Sequence, residues 1–295
     1  MLGARAVGVT EIAVNHDPHQ IVRRATETLT GIELHTVVRE LGFTEEDSTR
    51  AAIEMRELGC RCIAVLGGDG TNRAVAKGWP GVPVIPVSTG TNNAFPEFNE
   101  PTVAGTALGL VAQEIVALDD VARPAKLVHV TVEGGHPELP RDPDIALIDA
   151  VAVADPYVGS LELFDPDTMR IAVLTRADPA SIGFSVVGGL LDPLTADEEE
   201  ALFLRFTPVE GHDGTVVNAP TAPGHHDRIG IAEIRRLPFG ESVEIAGPVL
   251  LAFDGERKRR IHDGQIARLE VRRDGPTVID PHQAMDLGRS WFVEG

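Results

Sequence analysis

A short apolar run that ends in a glycine-rich turn constrains the fold of this chain more than any other feature. Residues 63–66 are Ile-Ala-Val-Leu, and the turn at residues 67–72 is Gly-Gly-Asp-Gly-Thr-Asn. A continuous apolar run is typical of a buried parallel strand, and parallel strands are connected by helices. A short helix is predicted directly after the turn, at residues 73–77. The motif therefore predicts an open, mostly parallel α/β sheet.

Other segments of the first third support this prediction. Ser48 is a candidate N-cap, and Gly59 stands where a helix stop belongs. A second apolar run, at residues 82–87, predicts another buried strand. The remaining predicted elements are one strand region over residues 6–14 and helices at residues 19–28, 48–58 and 102–116.

Length and composition indicate two domains. The chain has 295 residues, of which 43% are hydrophobic, so it has ample material for more than one core. Short β runs punctuated by Gly and Pro dominate after about residue 118. We expect an α/β domain over residues 1–118 and a mainly β domain over 119–277, with 278–295 packing back on the first. The acidic stretch at 197–200 is predicted to be the first turn of an exposed helix.

Charge and hydropathy argue against several classes of partner. The formal net charge is −19, which disfavours non-specific binding to nucleic acid or to anionic membranes. No apolar run is long enough for a transmembrane helix, and the N-terminus has no secretory pattern. We expect a soluble, cytoplasmic protein. The two cysteines, Cys60 and Cys62, are expected to be reduced.

The glycine-rich turn, residues 67–72 and here called the first loop, is a candidate anion site. Such a turn places backbone N–H groups at the carboxyl edge of the sheet, and its glycines tolerate positive φ and let phosphates approach. Asp69 would repel phosphates unless it holds Mg²⁺ or accepts the proton of an attacking hydroxyl. The alternative is a tight turn in which Asp69 binds local N–H groups.

The second predicted strand ends in a similar way. Residues 88–96, here called the second loop, are Ser-Thr-Gly-Thr-Asn-Asn-Ala-Phe-Pro. Hydroxyls and amides suit phosphate oxygens, ribose and adenine edges. If the two strands are neighbours, both loops lie on one rim of the sheet. The alternative is a polar turn that caps a helix.

These two loops resemble those of NAD kinases and of diacylglycerol and sphingosine kinases. Residues 66–78, 87–98, 102–112, 144–153 and 181–191 further resemble the acetoin-catabolism protein X family, whose members are ATP-NAD-kinase-like. The resemblance implies an α/β domain and a C-terminal β-sandwich, with ATP and acceptor bound in a cleft between them. It also implies Mg²⁺ and a homo-oligomer, dimer or tetramer.

The resemblance assigns roles to particular residues. Asp69 corresponds to the general base, and it would also contact Mg²⁺. The residues assigned to the nucleotide are Gly67, Gly68, Gly70, Thr71, Asn72, Ser88, Thr89, Gly90, Thr91 and Asn92. The residues assigned to the acceptor are Asn93, Asp149, Ser181 and Phe184. For the segment at 181–185, a buried strand-to-turn piece is the alternative.

A further match lies late in the chain. Asp254, Gly255 and Glu256 resemble the Asp-Gly-Glu element that closes such sites, where they would contact the nucleotide and Asp254 would help to hold Mg²⁺. Asp-Gly is also a frequent pair in β-hairpin turns, so a simple turn is the alternative.

One departure from the pattern bears on the substrate. NAD kinases carry Asn-Glu where this chain has Ile148 and Asp149. Ile148 cannot hydrogen-bond through its side chain, and the loss of a paired polar contact can reject a substrate strongly. We therefore predict transfer of a phosphoryl group from ATP to a hydroxyl of a small molecule, either NAD or another metabolite. The alternatives are a non-catalytic nucleotide-binding regulator and a lipid kinase, the latter disfavoured by the acidic charge.

Overall fold

A computed structural model describes residues 1–15, 17, 20–27, 29–38, 40–90, 93–154, 168–210 and 214–293. In chain order the helices are α1 (Leu2–Ala6), α2 (Ile21–Thr26), α3 (Glu45–Glu57), α4 (Asp69–Gly78), α5 (Pro101–Ala112), α6 (Leu118–Val121), α7 (Phe184–Gly189) and α8 (Pro281–Leu287), and a 3₁₀ turn spans Arg289–Phe292. The strands are β1 (Glu11–Asn15), β2 (Glu33–Val37), β3 (Ile63–Gly67), β4 (Pro83–Ser88), β5 (Ala122–Pro124), β6 (Leu127–Gly134), β7 (Asp144–Ala146), β8 (Asp149–Val153), β9 (Met169–Leu174), β10 (Glu200–Thr207), β11 (Thr215–Ala222), β12 (His225–Pro238), β13 (Ser242–Ala246), β14 (Val249–Phe253), β15 (Glu256–Ile261), β16 (Gln265–Arg272) and β17 (Thr277–Ile279).

These residues fall into two compact units. Unit 1 takes the described residues up to 90, then 96–125 and those from 275 onward. Unit 2 takes residues 93–95 and 126–274. Where the chain leaves unit 1 for residues 126–274 and returns to it, the Ala125 N–H donates to the Pro276 carbonyl over 2.8 Å and the Gly275 N–H donates to the Ala125 carbonyl over 3.0 Å.

Unit 1 has the predicted open, mostly parallel α/β architecture. Its main sheet in the described part has the order β3-β4-β17-β5, in which β3, β4 and β17 are parallel and β5 is antiparallel. β1 and β2 form a separate parallel pair. One core packs α3 against Val65 and Val84, and the other packs α5 and α8 against Ile85 and Val87, so helices cover both faces of β4.

Two elements of unit 1 differ from the sequence-based prediction. The strand region predicted at residues 6–14 begins only at Glu11, and Ala6 is instead the last residue of α1, whose small residues let it pack closely on α5. An added Cβ at Gly109 would lie 2.9 Å from the Ala4 Cα. β3 is buried on one face only: it is the last strand of its sheet in the described part, and Leu66 is 45% exposed.

Unit 2 is the predicted β-sandwich. In the described part its antiparallel sheets have the orders β11-β12-β10-β9-β8-β14-β15 and β13-β16-β6-β7. Their facing side chains alternate with outward ones, as a sandwich core requires. Val130 and Leu269 of the smaller sheet share that core with Val173, Phe203 and Leu251 of the larger sheet. The other face of the larger sheet is packed by α7.

Candidate functional site

The structure brings the starts of the two predicted loops together. In the parallel register of β3 and β4, Gly67 is paired with Ser88. The two loops therefore leave adjacent strands at the carboxyl edge of the sheet, which is where open α/β sheets bind ligands.

Asp69 is the first residue of α4 and is half-buried. The N-terminal turn of a helix has backbone N–H groups without intrahelical partners, and the helix dipole favours negative charge there. Gly68 caps the helix in an extended conformation, with φ −96° and ψ −167°. A glycine with positive φ is therefore not needed at this cap.

Space rather than φ explains the glycine at position 67. An added Cβ there would lie 2.6 Å from both the Cβ and the Oγ1 of Thr71. Thr71 therefore packs back over the end of β3. Thr71 belongs to α4, so its side chain joins the start of this helix to Gly67, the first residue of the first loop.

Asn72 ties the first turn of α4 to its cap. The side chain is 2% exposed, and its Nδ2 donates to the Gly68 carbonyl over 2.9 Å. The Asn72 backbone N–H donates to the same carbonyl over 3.1 Å. Its Oδ1 accepts no hydrogen bond from the described residues. The first loop is thus held in shape by its own polar groups.

Arg73 is a functional candidate that sequence reasoning missed. The side chain is only 1% exposed, and its Nη1 lies 3.5 Å from Glu45 Oε2 of α3. Arg73 follows Asp69 by four residues, about one helical turn, so the two residues lie on the same face of α4. A buried guanidinium is rare without a specific role. The signal in the sequence was a charged residue on the apolar side of a predicted helix.

The second loop begins in unit 1 and passes through unit 2. The Ser88 N–H donates to the Glu97 carbonyl over 3.1 Å, and its Oγ donates to the Gly90 carbonyl over 3.2 Å. Thr89 and Gly90 are exposed, and Asn93 is half-buried. The predicted ligands Thr91 and Asn92 lie outside the described residues.

Asp254 forms a β-hairpin turn with Gly255, as in the alternative interpretation. The φ values of the two residues are +50° and +79°, and the turn joins β14 to β15. The carboxylate of Asp254 is buried and accepts the backbone N–H groups of residues 147–149. The distances are 3.0 Å from Leu147 to each oxygen, 2.7 Å from Ile148 and 3.3 Å from Asp149.

This geometry gives Asp254 a structural role besides the predicted one. Its Oδ1 accepts from the N–H groups of residues 147–149, and its Oδ2 also accepts from Leu147. The carboxylate therefore fixes the backbone of this segment, and its contact with Mg²⁺ or nucleotide stays a prediction. The turn still leaves Gly255 and Glu256 exposed.

The same backbone segment is held from its other side by Thr175. Its Oγ1 donates to the Leu147 carbonyl over 2.6 Å, and its N–H donates to the Ile148 carbonyl over 2.8 Å. The Asp254 N–H donates to the Asp149 carbonyl over 3.1 Å. Asp149 therefore occupies a fixed position at the start of β8, while the side chain of Ile148 is 2% exposed and belongs to the interior of unit 2.

The segment at 181–185 is buried at Phe184, as the alternative interpretation describes. Phe184 is 2% exposed and packs edge-on against Phe206, with ring centroids 6.1 Å apart. A role of this segment in acceptor binding stays a prediction. Ser181 is half-buried, and its N–H donates to the Asp178 carbonyl over 3.1 Å.

Neither cysteine offers a reactive group. Cys60 and Cys62 are free thiols. Burial raises the pKa of both, and raises the pKa of Cys62 to about 12. Thiols of this kind stay protonated at neutral pH and are poor nucleophiles.

An α/β domain with a Gly-Gly-Asp-Gly-Thr loop at the edge of its sheet, followed by a β-sandwich, defines the two-domain NAD kinase-like fold. The structure of yeast NADH kinase complexed with NADH is similar, with a TM-score of 0.56 at 12% identity, over 97% of this chain and 81% of that one. Residues 5–115 match the ATP-NAD kinase N-terminal domain.

The remainder of the chain gives the family. Residues 126–274 match the acetoin catabolism protein X C-terminal domain, and the chain belongs to the acetoin catabolism protein X family. It is 37% identical over 215 residues to acetoin catabolism protein X of Cupriavidus necator. The match covers 72% of this chain and 59% of that relative. Within the described residues, no helix is long and apolar enough to cross a membrane.

Proposed function

We propose that this protein is a kinase that transfers a phosphoryl group from ATP to a hydroxyl of a small molecule. The observation that carries the proposal is the position of Asp69. It is the first residue of α4, at the end of a strand whose last residue is paired with Ser88 of the second loop. The match of residues 5–115 to an ATP-NAD kinase domain supports the same chemistry.

The phosphates of ATP would bind at the two loops. The backbone N–H groups in the first turn of α4 would bind an anion there, and the helix dipole would add attraction. The exposed Thr89 and Gly90 would contact the nucleotide from the second loop. At short range, such contacts outweigh the net charge of −19 because they are little screened by salt.

The described residues fit Mg²⁺ bound together with ATP. They contain no group of three or more His, Cys, Asp or Glu that could hold a metal. Mg²⁺ usually needs only one or two carboxylates besides phosphate oxygens, and Asp69 is suited to be one of them. When bound, the ion would neutralise charge on the phosphates.

Asp69 would accept the proton of the attacking hydroxyl. A carboxylate beside the phosphates serves this role if the acceptor lies within hydrogen-bond distance. Arg73, one turn further along α4, would balance the charge of Asp69 when the anionic substrate binds. Most of the rate enhancement would come from positioning and charge stabilisation.

We assign the acceptor to Asn93, Asp149 and Ser181. Asp149 is the best placed of these, because its backbone is fixed by Asp254: the Asp149 N–H donates to the Asp254 carboxylate, and the Asp149 carbonyl accepts from the Asp254 N–H. The acceptor is NAD or another hydroxyl-bearing metabolite. The burial of Ile148 argues for a metabolite other than NAD, since this side chain cannot replace a polar contact to ribose. We also propose a homo-oligomer, dimer or tetramer, which sedimentation velocity would test.

Kinase activity is tested by ADP release from ATP-Mg²⁺, with NAD and with a panel of small alcohols. Asp69→Asn should lower turnover by about a hundredfold or more, because a positioned base contributes on that order. The matched control is Asp119→Asn, an exposed residue of unit 1 in α6, which should keep full activity. Full activity in Asp69→Asn would exclude Asp69 as the base.

ATP binding measured by calorimetry separates the main alternative. If the wild-type protein binds ATP-Mg²⁺ tightly but none of the acceptors tested leads to ADP release, a non-catalytic nucleotide-binding regulator is the better description. Association with anionic vesicles would instead favour a lipid kinase.

A further inference from the structure

We propose that Arg176 is a positioning residue for nucleotide binding, acting through the far end of the second loop. The inference rests on the proposed function of that loop. It concerns a side chain in unit 2 that the loop contacts at Ala94 and Phe95.

Arg176 makes two different contacts with the second loop. Its Nη1 donates a hydrogen bond to the Ala94 carbonyl over 2.8 Å. Its guanidinium carbon lies 5.7 Å from the centroid of the Phe95 ring, within the range of a cation–π contact. Phe95 is 3% exposed. One planar group therefore fixes both the carbonyl and the ring of adjacent loop residues.

The backbone that carries Arg176 is itself held on both sides. The Arg176 carbonyl accepts from Ser185 Oγ over 3.3 Å. Ala177 exchanges two backbone hydrogen bonds with Leu194, of 2.8 Å and 2.9 Å. Thr175 is bonded to residues 147 and 148. Arg176 therefore extends from a firmly bonded stretch of chain, and its contacts can constrain the loop.

The second loop is thus fixed at both ends. At its start, Ser88 is paired with Gly67 and bonded to Glu97. At its far end, Arg176 holds Ala94 and Phe95. Fixing a loop before the ligand binds reduces the ordering entropy lost on binding, so affinity is gained without a direct contact to the ligand.

Arginine is specifically suited to this task. Its planar guanidinium can donate in its plane while its face lies on an aromatic ring, and the ammonium of lysine cannot do both. Arg176→Lys should therefore keep the charge but only part of the effect. Arg176→Met should keep much of the side-chain volume and lose both contacts.

The chain contains a matched control. Arg205 of β10 also lies over a phenylalanine of unit 2, Phe203, at 5.8 Å, and its Nη2 pairs with Glu233 over 3.0 Å. Neither of these contacts involves the second loop. Arg205→Met removes an arginine–phenylalanine contact of the same kind from the same unit.

Two measurements test the proposal: hydrogen exchange at residues 93–97 without nucleotide, and the Kd for ATP-Mg²⁺ by calorimetry. We expect Arg176→Met to speed exchange and weaken ATP binding, each by about tenfold, the effect of losing one hydrogen bond to a charged donor. Arg176→Lys should show a smaller change in both, and Arg205→Met no change in either.

Each opposite result has a distinct meaning. Unchanged exchange at residues 93–97 in Arg176→Met would show that Arg176 does not fix the loop. Faster exchange with an unchanged Kd would show that the fixed loop does not serve nucleotide binding. If the wild-type protein binds no ATP, the proposed function fails, whereas the exchange data still decide whether Arg176 holds the loop. Should Arg176→Met fail to fold, Arg176→Lys supplies the same comparison.

Discussion

At the scale of single residues, Asp254 illustrates how a buried carboxylate can act on the backbone. Its contacts with the N–H groups of residues 147–149 span 2.7–3.3 Å. These groups belong to the segment through which the chain passes from β7 in one sheet to β8 in the other. Buried N–H groups that lose their acceptor are costly, so Asp254 stabilises this passage.

We expect Asp254→Asn to lower the free energy of unfolding by about 3 kcal/mol. The asparagine amide places an NH2 donor where a carboxylate oxygen accepted backbone N–H groups, so hydrogen bonds to that oxygen are lost. Urea unfolding measures the change. Asp263→Asn is the matched control: Asp263 also belongs to an Asp-Gly pair between two consecutive strands, here β15 and β16 of different sheets, but its side chain is exposed. Equal stability losses in the two variants would contradict a specific role for Asp254.

Lys126 is a second buried charge with a measurable consequence. It is 3% exposed, and its Nζ donates to the carbonyls of Thr195 and Glu200 over 2.8 Å and 2.9 Å. Burial, with the added repulsion of Arg273 and Arg176, lowers the pKa of Lys126 from 10.5 to about 8. The unfolded chain therefore binds more protons than the folded protein between these two pH values.

The sign of the pH dependence follows from this difference. As pH rises from about 8 to 10.5, the cost of burying the charged Lys126 is relieved, so its contribution to stability increases. Lys126→Met cannot titrate. We expect the stability of the wild-type protein relative to Lys126→Met to rise with pH across that window in urea unfolding. A flat difference would mean that the pKa of Lys126 is not lowered.

At the scale of elements, the first loop and α4 act as one piece. Thr71 packs on Gly67, Asn72 bonds to Gly68, and Thr49 of α3 donates to the Ala74 carbonyl over 3.0 Å. The loop is therefore shaped by the helix that follows it.

A double-mutant cycle measures this coupling. Gly67→Ala places a methyl group 2.6 Å from Thr71 and should lower the free energy of unfolding by roughly 1–3 kcal/mol, as overpacking usually does. Thr71→Ala in the same background should recover part of that loss, because it removes the Oγ1 and Cγ2 of Thr71 but keeps its Cβ, which also lies 2.6 Å from the new methyl group. Strictly additive effects in urea unfolding would show that the two residues do not interact.

The sequence predicted those elements whose signals are local. The strand and the helix at residues 63–78 are encoded by neighbouring residues and the structure has both, although α4 begins at Asp69, within the predicted turn, rather than at Arg73. Helix α3 begins at Glu45 rather than after Ser48, since three acidic residues favour its first turn. The acidic stretch at 197–200 is not a helix: Lys126 and Arg273 bind its carbonyls from distant parts of the chain. Such non-local contacts leave no periodic pattern.

At the scale of the whole molecule, both domain classes could be predicted, but several connections could not. Alternating apolar runs indicate strands, and composition separates an α/β region from a β-rich one. No pattern indicates that β17, a strand of three residues near the end of the chain, lies between β4 and β5. The burial of Asp254 and Phe184 could not be predicted for a related reason: it depends on which distant residues cover a side chain, here Leu147 and Phe206.

The position of β17 also dictates an order of events during synthesis. β17 pairs with β4 on one side and with β5 on the other, so the main sheet of unit 1 is incomplete until residues 277–279 have left the ribosome. The last strand of the sandwich ends earlier, at Arg272. The sandwich can therefore be complete while the nascent α/β sheet still has a gap. The first and second loops are translated early, yet the sheet that supports them is completed only when β17 has been made, after the strands of the sandwich.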